Sequence, residues 1–157
     1  MHETTWWLWG NLEVYDYRLM LLVSMPVLLG IAVIYVFSQD LNAISIGEEE
    51  AGHLGIDTQK IKKAVILITA LITASLICIC GIIGFVGLIV PHMMRLIVGP
   101  NHKVLIPTTC LAASVFMVGC DIFSRTLFAP VEIPIGVITA IIGAPVFIIL
   151  LKKGKRI

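Results

Sequence analysis

The sequence predicts an all-α integral membrane protein with about five transmembrane helices, one of them short and broken, and a pair of short cytoplasmic helices. The 157 residues are 59% hydrophobic and 13% charged, and their mean hydropathy is +1.03. A single soluble core of this size cannot hide so much apolar side chain. The charges cluster between long uncharged runs, as in integral membrane proteins. The net charge of +1 offers no basic face for nucleic acid.

Four apolar runs supply the predicted spans. Residues 19–37 and 133–151 are 19 residues each, which at about 1.5 Å per residue nearly crosses the roughly 30 Å hydrocarbon layer. Residues 104–120 form a shorter run that is rich in small side chains. Residues 64–94 carry no Asp, Glu, Lys or Arg, and one straight helix of that length would be roughly 46 Å long, too much for an ordinary bilayer.

The distribution of lysine and arginine indicates how the long run divides. A full span over residues 64–83 and a short returning span over residues 85–98 put nine basic residues on one side and two on the other. A single span would separate the basic clusters, against the positive-inside rule. The prediction is therefore five spans, with the N-terminus outside and the C-terminus in the cytoplasm. The nine cytoplasmic residues are Lys60, Lys62, Lys63, Arg95, Lys103, Lys152, Lys153, Lys155 and Arg156, and the two outer ones are Arg18 and Arg125.

Glycines and a proline mark the predicted reversal between these two spans. Gly81, Gly84 and Gly87 are expected to let the backbone turn and to let helices approach closely. Pro91 lacks a backbone donor and is expected to kink or shorten the returning helix. Irregular backbone at membrane depth survives only inside protein or beside water, so the short span is expected to be enclosed by other helices or to line a cavity.

The cytoplasmic stretch of residues 38–63 has the pattern of ordered structure. Asp40 can cap a short helix that runs through Ile44. Ser45 and Glu48 have the spacing of a capping box, which predicts that a second helix begins there.

A glycine and a second capping residue end this stretch. Gly55 is placed as a helix C-terminal glycine, and Asp57 or Thr58 begins the next helix. The pattern fits equally well a surface hairpin packed on its own protein and a docking element for a cytoplasmic partner. The apolar residues available for burial are Leu41, Ile44, Ala51 and Leu54.

Three long motifs carry a family resemblance. They are "LNAISIGEEEAGHLGI", "GIIGFVGLIVPHMMRLIVGPNHKVLIP" and "CDIFSRTLFAPVEIPIGVITAIIGAPVFIILL". In this order and spacing they resemble the FecCD family, the membrane permeases of type II ABC importers for iron-siderophores, haem, cobalamin and related metal chelates. Family permeases are ten-span homodimers of roughly twice this length, which work with two cytoplasmic ATPase subunits and an extracytoplasmic substrate-binding protein. The chain resembles a single membrane domain corresponding to their C-terminal half, spans six to ten.

The resemblance implies a mechanical role in place of catalysis. It places the chain in the plasma membrane of a prokaryote as a transport subunit, with ATP hydrolysis on a separate subunit and with no catalytic residue, cofactor or metal. Its short cytoplasmic helices would be coupling helices that sit in a groove of the ATPase. The residues that match the coupling motif are Leu41, Asn42, Gly47, Glu48, Ala51, Leu54 and Gly55.

Arg125 has two interpretations. It follows Asp121 at helical i+4 spacing, and such a surface pair contributes a few tenths of a kcal/mol. The family resemblance instead implies that this arginine pairs with a glutamate on a lobe of the binding protein. Docking is the favoured interpretation.

Two other classes of protein compete with the permease. One is a truncated or orphan membrane remnant without transport activity, because the resemblance covers only five of ten spans. The other is a secondary transporter or channel, which would need an ionisable residue in mid-span, where the long runs offer only His92 near an end. The four cysteines lack partners at metal-ligand spacing and are expected to be small buried thiols. They are Cys78, Cys80, Cys110 and Cys120.

Overall fold

A computed structural model describes residues 9–12, 16–127 and 133–154 of the chain. These residues form seven helices and no strand, in agreement with the predicted all-α class. The helices are α1 (Tyr17–Val36), α2 (Ser38–Ile46), α3 (Glu48–His53), α4 (Thr58–Cys80), α5 (Val86–Val98), α6 (His102–Thr126) and α7 (Ile135–Gly154). Lys155 and Arg156, which belong to the predicted cytoplasmic set, lie outside the described residues.

Each predicted apolar run falls on a helix. Helices α1, α4 and α6 are long and apolar enough to cross a membrane, with mean hydropathies of 2.6, 2.4 and 1.7. Helix α5 and the Ile135–Ile149 part of α7 are shorter apolar helices. No more than 6% of the apolar window of any of the three long helices is buried within the chain, as expected for side chains that face lipid or other subunits. The count of five spans and their orientation stay predictions.

A side-chain cap begins each of the three long helices. Asp16 accepts a hydrogen bond from the backbone N–H of Arg18 at the start of α1. Asp57 does the same for Lys60 at the start of α4, and Asn101 for Lys103 at the start of α6. These carboxylate and amide oxygens satisfy N–H groups that have no partner within the helix.

The long apolar run of residues 64–94 is divided by an irregular turn. Helix α4 ends at Cys80, three residues before the predicted boundary, and α5 begins at Val86. Gly81 follows α4 with φ of 71°, a value that favours glycine. Phe85 precedes α5 with φ of 66°, which makes it the one described non-glycine residue with positive φ.

The returning helix is short but unbroken, which corrects one part of the prediction. Helix α5 continues through Pro91 and ends at Val98, before Gly99 with φ of 87°. Proline at the sixth helical position removes one backbone bond, the one that the carbonyl of Gly87 would accept. The break therefore lies before the helix, in the turn of residues 81–85.

Helix α5 packs between α6 and α7 along one face. Its Ile89 and Val90 are 2% and 6% exposed, whereas Leu96 and Ile97, two turns further along the helix, are 68% and 71% exposed. Within this chain the span is thus enclosed around Ile89 and Val90, and its last turns are left exposed.

The polar contacts group at two ends of the bundle. At the Arg125 end, the backbone N–H of Asn11 donates to the carbonyl of Cys80 at 2.8 Å. There too the N–H of Gly136 donates to the carbonyl of Trp9 at 3.1 Å. The opposite end, the α2–α3 end, carries the two short helices.

Candidate functional site

The α2–α3 segment (residues 38–57) joins α1 to α4 at one end of the bundle. Only Phe37 separates α1 from α2, and its carbonyl accepts the N–H of Leu41 at 2.9 Å. Ser38 is 3% exposed and Leu41 is half-buried. The segment is thus fixed to the spans by direct continuity of the chain and by burial of its first turn.

The predicted capping box of Ser45 and Glu48 is wrong. Helix α2 extends to Ile46, two residues further than predicted, so Ser45 lies in its last turn and its hydroxyl donates to the carbonyl of Asn42 at 2.7 Å. Gly47 is the N-cap of α3 and provides no side chain to cap it. Glu48 instead forms an ion pair with Lys62 of α4, which ties α3 to the first turns of a long helix.

The end of α3 follows the predicted glycine and aspartate signals. Gly55 has φ of 80°, as a helix C-terminal glycine requires. Ala51 is fully buried, and its carbonyl accepts the N–H of Ile56 at 3.1 Å. Asp57 caps α4 and also contacts Lys60 Nζ at 2.9 Å. The hydrogen bond from the Lys60 side chain lowers the pKa of the Asp57 carboxyl, so its capping charge persists into mildly acidic solution.

Two large apolar residues of the segment face outward. Leu54, which the sequence left available either for burial or for a partner, is 74% exposed at the C-cap of α3. Ile46, the last residue of α2, is 80% exposed. A short segment that buries Ala51 and exposes these two side chains offers an apolar surface for another protein.

Asn42 connects the segment to α6. Its Nδ2 donates to Asn101 Oδ1 at 2.9 Å, and its Oδ1 accepts the backbone N–H of His102 at 2.7 Å. The ring nitrogen Nδ1 of His102 lies 2.8 Å from the same Asn42 oxygen. One side chain of α2 thereby satisfies polar groups at the first turn of a helix that begins about 60 residues later.

The sequence did not predict this junction. Asn101 before an apolar run is an N-cap signal that marks the start of α6. The partner of that cap on α2 is a tertiary contact, and no local pattern of residues indicates it.

Arg125 lies at the end of α6 and pairs with Asp121. Its Nε is 3.1 Å from Asp121 Oδ2, and the two side chains are 41% and 29% exposed. The nearby Ser124 hydroxyl donates to the carbonyl of Ile133, which connects the end of α6 to the residues before α7. The ion pair of the first interpretation is present, and docking to a binding protein stays a prediction. Glu132 lies outside the described residues.

The three glycines of the predicted reversal differ in their surroundings. Gly81 is buried and has positive φ, whereas a Cβ added at Gly84 or Gly87 would meet nothing within 4 Å. Close packing at Gly84 and Gly87 thus stays a prediction that concerns surfaces outside this chain. Within the chain close approaches occur at other glycines, among them Gly143, where an added Cβ would lie 2.5 Å from the Cβ of Phe85.

Only one of the four cysteines is buried. Cys120 belongs to the core with Ile135 and Ile138, whereas Cys78 is exposed. The expectation of buried thiols therefore fails for Cys78, because its helix faces outward over most of its length. In the described parts of the chain no three His, Cys, Asp or Glu side chains cluster as metal ligands would.

The fold matches a solved membrane permease. A structure of a metal-chelate type ABC transporter in an inward-facing conformation superposes with a TM-score of 0.89 at 36% identity. The match covers 97% of this chain and 49% of that one. The architecture is therefore that of an ABC transporter permease.

Sequence comparison gives the family. The model of the FecCD transport family matches residues 1–153, and the chain belongs to this family. It is 39% identical over 150 residues to the cobalamin import system permease BtuC of Halobacterium salinarum, covering 96% of this chain and 40% of that protein. It is 38% identical over 150 residues to the molybdate import system permease MolB of Haemophilus influenzae, covering 96% and 44%. The chain spans less than half the length of these relatives.

Proposed function

We propose that the chain is a permease subunit of an ABC importer for metal chelates of the iron-siderophore, haem or cobalamin type. It corresponds to spans six to ten of the full permease and pairs with a second permease subunit in a prokaryotic plasma membrane. A partner ATPase binds the α2–α3 segment and hydrolyses ATP at its own site. An extracytoplasmic binding protein delivers the chelate at the Arg125 end. The chain itself performs no bond-breaking chemistry.

The outward apolar side chains of the α2–α3 segment carry this proposal. Ile46 and Leu54 are exposed on a segment whose Ala51 is fully buried and whose Glu48 is paired with α4. A protein partner that covers these side chains would remove apolar surface from water, worth about 25 cal/mol per Å². The segment is attached to the spans by its buried first turn and by the contacts of Asn42. Displacement of the segment by the partner therefore also displaces the spans.

Family membership supports the choice of substrate class. The relatives named above are import permeases for cobalamin and molybdate, and the structural neighbour is a metal-chelate type transporter. A metal chelate is the substrate class that two of these three descriptions share. The α2–α3 segment binds the ATPase and does not contact the substrate, so the same segment can serve importers of different substrates.

Affinity purification of the chain from its own membranes tests the proposal. An ABC ATPase, identified by mass spectrometry and by ATP hydrolysis in the purified material, is expected to co-purify. Adding the substrate-binding protein is expected to raise that hydrolysis. A chain that retains neither protein would be an orphan membrane remnant, and a chain that transports without ATP would belong to the secondary transporters.

A further inference from the structure

Helix α6 begins with a cap that a different helix provides. The first N–H groups of a helix have no partner within it. The backbone N–H of His102 donates to Asn42 Oδ1 at 2.7 Å, and that of Lys103 donates to Asn101 Oδ1 at 3.1 Å. Asn101 caps its own helix, whereas Asn42 reaches it from α2.

The hydrogen-bond roles at this junction are fixed by chemistry. A backbone N–H can only donate, so the Asn42 atom that faces it is the amide oxygen. The ring Nδ1 of His102, 2.8 Å from the same oxygen, must then carry a proton. The remaining Asn42 group, Nδ2, donates to Asn101. All three contacts point from the amide of Asn42 to the start of α6.

Helix α6 connects this junction with the opposite end of the bundle. It runs without interruption for 25 residues, past Pro107, to the turn that holds Arg125. At about 1.5 Å per residue its length is roughly 37 Å. The helix therefore has the α2–α3 segment at one end and the proposed docking site of the binding protein at the other.

We propose that Asn42 is a positioning residue that fastens the α2–α3 segment to α6, so that displacement of the segment by the ATPase moves α6 and the Arg125 end with it. This inference rests on the proposed function. It differs from the family resemblance, which groups Asn42 with the residues at the ATPase surface. The amide is used inward, on Asn101 and His102, while the exposed apolar residues Ile46 and Leu54 remain for the partner.

Two variants at Asn42 separate the inward role from an ATPase contact. Asn42→Leu has a similar size and no hydrogen-bonding group, whereas Asn42→Asp keeps an oxygen for the two donors of His102. Gln39→Ala, at an exposed position of α2, is the matched control. Each is prepared as the full complex with ATPase and binding protein in nanodiscs, and three quantities are measured: ATPase retained, basal hydrolysis, and the stimulation of hydrolysis by the binding protein.

Asn42→Leu is expected to retain the ATPase and its basal hydrolysis, while the stimulation of hydrolysis by the binding protein falls at least tenfold. Asn42→Asp is expected to retain most of this stimulation. Hydrogen exchange in the Asn42→Leu variant should accelerate at His102 while the amides of α4 are unchanged. If Asn42→Leu does not fold, Asn42→Ser takes its place, because its shorter side chain also leaves His102 unbonded.

Two results overturn the inference while leaving the proposed function intact. Full stimulation in Asn42→Leu shows that α6 is moved without this junction. Loss of the ATPase itself in Asn42→Leu, with exchange at His102 unchanged, shows that Asn42 is a contact of the ATPase. A failure of the wild-type chain to retain any ATPase has a different signature, because it removes the proposed function as well.

Discussion

Asn42 on α2 caps the start of α6, a different helix of the same chain, with its Oδ1 2.7 Å from the backbone nitrogen of His102. The same amide donates to Asn101, which is the local N-cap of α6. The start of one long helix thus depends on two asparagines from distant parts of the chain. This arrangement has a measurable consequence for stability.

The two asparagines are expected to be energetically coupled. Asn101→Ala removes an N-cap and should lower the free energy of unfolding by about 1 kcal/mol. Asn42→Ala should cost a similar amount, because it leaves the His102 N–H without its acceptor. The double variant should cost less than the sum of the two, since they share one hydrogen bond. The measurement is unfolding by SDS titration in mixed micelles.

Ser45→Ala is the control for this cycle. Its hydroxyl bonds only within α2 in the described contacts, to the carbonyl of Asn42. Combined with Asn101→Ala it should give additive losses within roughly 0.5 kcal/mol. Additive losses for Asn42 and Asn101 themselves would show that the shared hydrogen bond contributes nothing.

Two substitutions in the α2–α3 segment, Leu54→Asp and Gly47→Pro, are expected to abolish ATPase association without unfolding the spans. Leu54→Asp places a charge on a side chain that is 74% exposed, so it alters the docking surface and not the core. Gly47→Pro conflicts with the backbone at the joint, because φ is 175° there and proline requires about −65°. Co-purification with the ATPase and circular dichroism of the membrane helices are the two measurements.

Matched variants sharpen this test. Gly47→Ala keeps the extended backbone that any residue adopts, and its Cβ would meet only the flexible carboxylate end of Glu50, so binding should persist. Gln39→Asp adds the same charge as Leu54→Asp, but at an exposed position of α2, and should also bind. Retained co-purification in both Leu54→Asp and Gly47→Pro would show that this segment is not the contact of the ATPase.

The sequence predicted those features that depend on local chemistry. Long apolar runs and the distribution of basic residues located the helices and the division of residues 64–94, since burial in lipid acts on every residue of a span. Gly55 and Asp57 marked helix ends because each acts on neighbouring backbone groups. Membership of the FecCD family, which the motifs indicated, is confirmed.

The features that failed depend on tertiary structure or on helix length. Ser45 was assigned to a cap, but α2 continues past it to Ile46, and its hydroxyl donates to the carbonyl of Asn42 in the same helix. Leu54 was left open between the protein's own core and a partner surface, because an apolar residue in a short helix can serve either, and its 74% exposure excludes the first within this chain. The junction of Asn42 with α6 required knowledge of which helices are neighbours.

Charge reversal at Arg125 is expected to weaken binding of the substrate-binding protein. Arg125→Glu should raise Kd and make binding less sensitive to salt, because the attraction between the arginine and an acidic lobe is screened by ions. The measurement is a titration of binding protein onto the permease in nanodiscs over a series of NaCl concentrations. Unchanged affinity throughout that series would count against docking at this residue.

The ion pair with Asp121 requires its own control. Arg125→Glu places two carboxylates at i and i+4 on α6 and disturbs the helix end as well as the surface charge. Asp121→Asn breaks the same ion pair but leaves the arginine charge in place. Binding of this variant should be unchanged or tighter. Equal weakening in both variants would mean that the ion pair supports the helix end and that the arginine charge is not recognised.

Glycine-to-alanine substitutions are expected to distinguish the close helix approach from open helix surface. At Gly143 an added Cβ would lie 2.5 Å from Phe85 Cβ and 2.9 Å from Ile89 Cδ1. Phe85 cannot yield easily, because its φ of 66° already fixes an uncommon backbone. Gly143→Ala should therefore lower the free energy of unfolding by about 1–3 kcal/mol, whereas Gly119→Ala, with nothing within 4 Å, should raise it by about 0.5–1 kcal/mol.

Gly87→Ala also meets open space within this chain, so a loss of stability there that appears only in the assembled transporter would place a second subunit against α5. Equal effects of all three substitutions on SDS unfolding would show that α5 and α7 are not in close contact at Gly143.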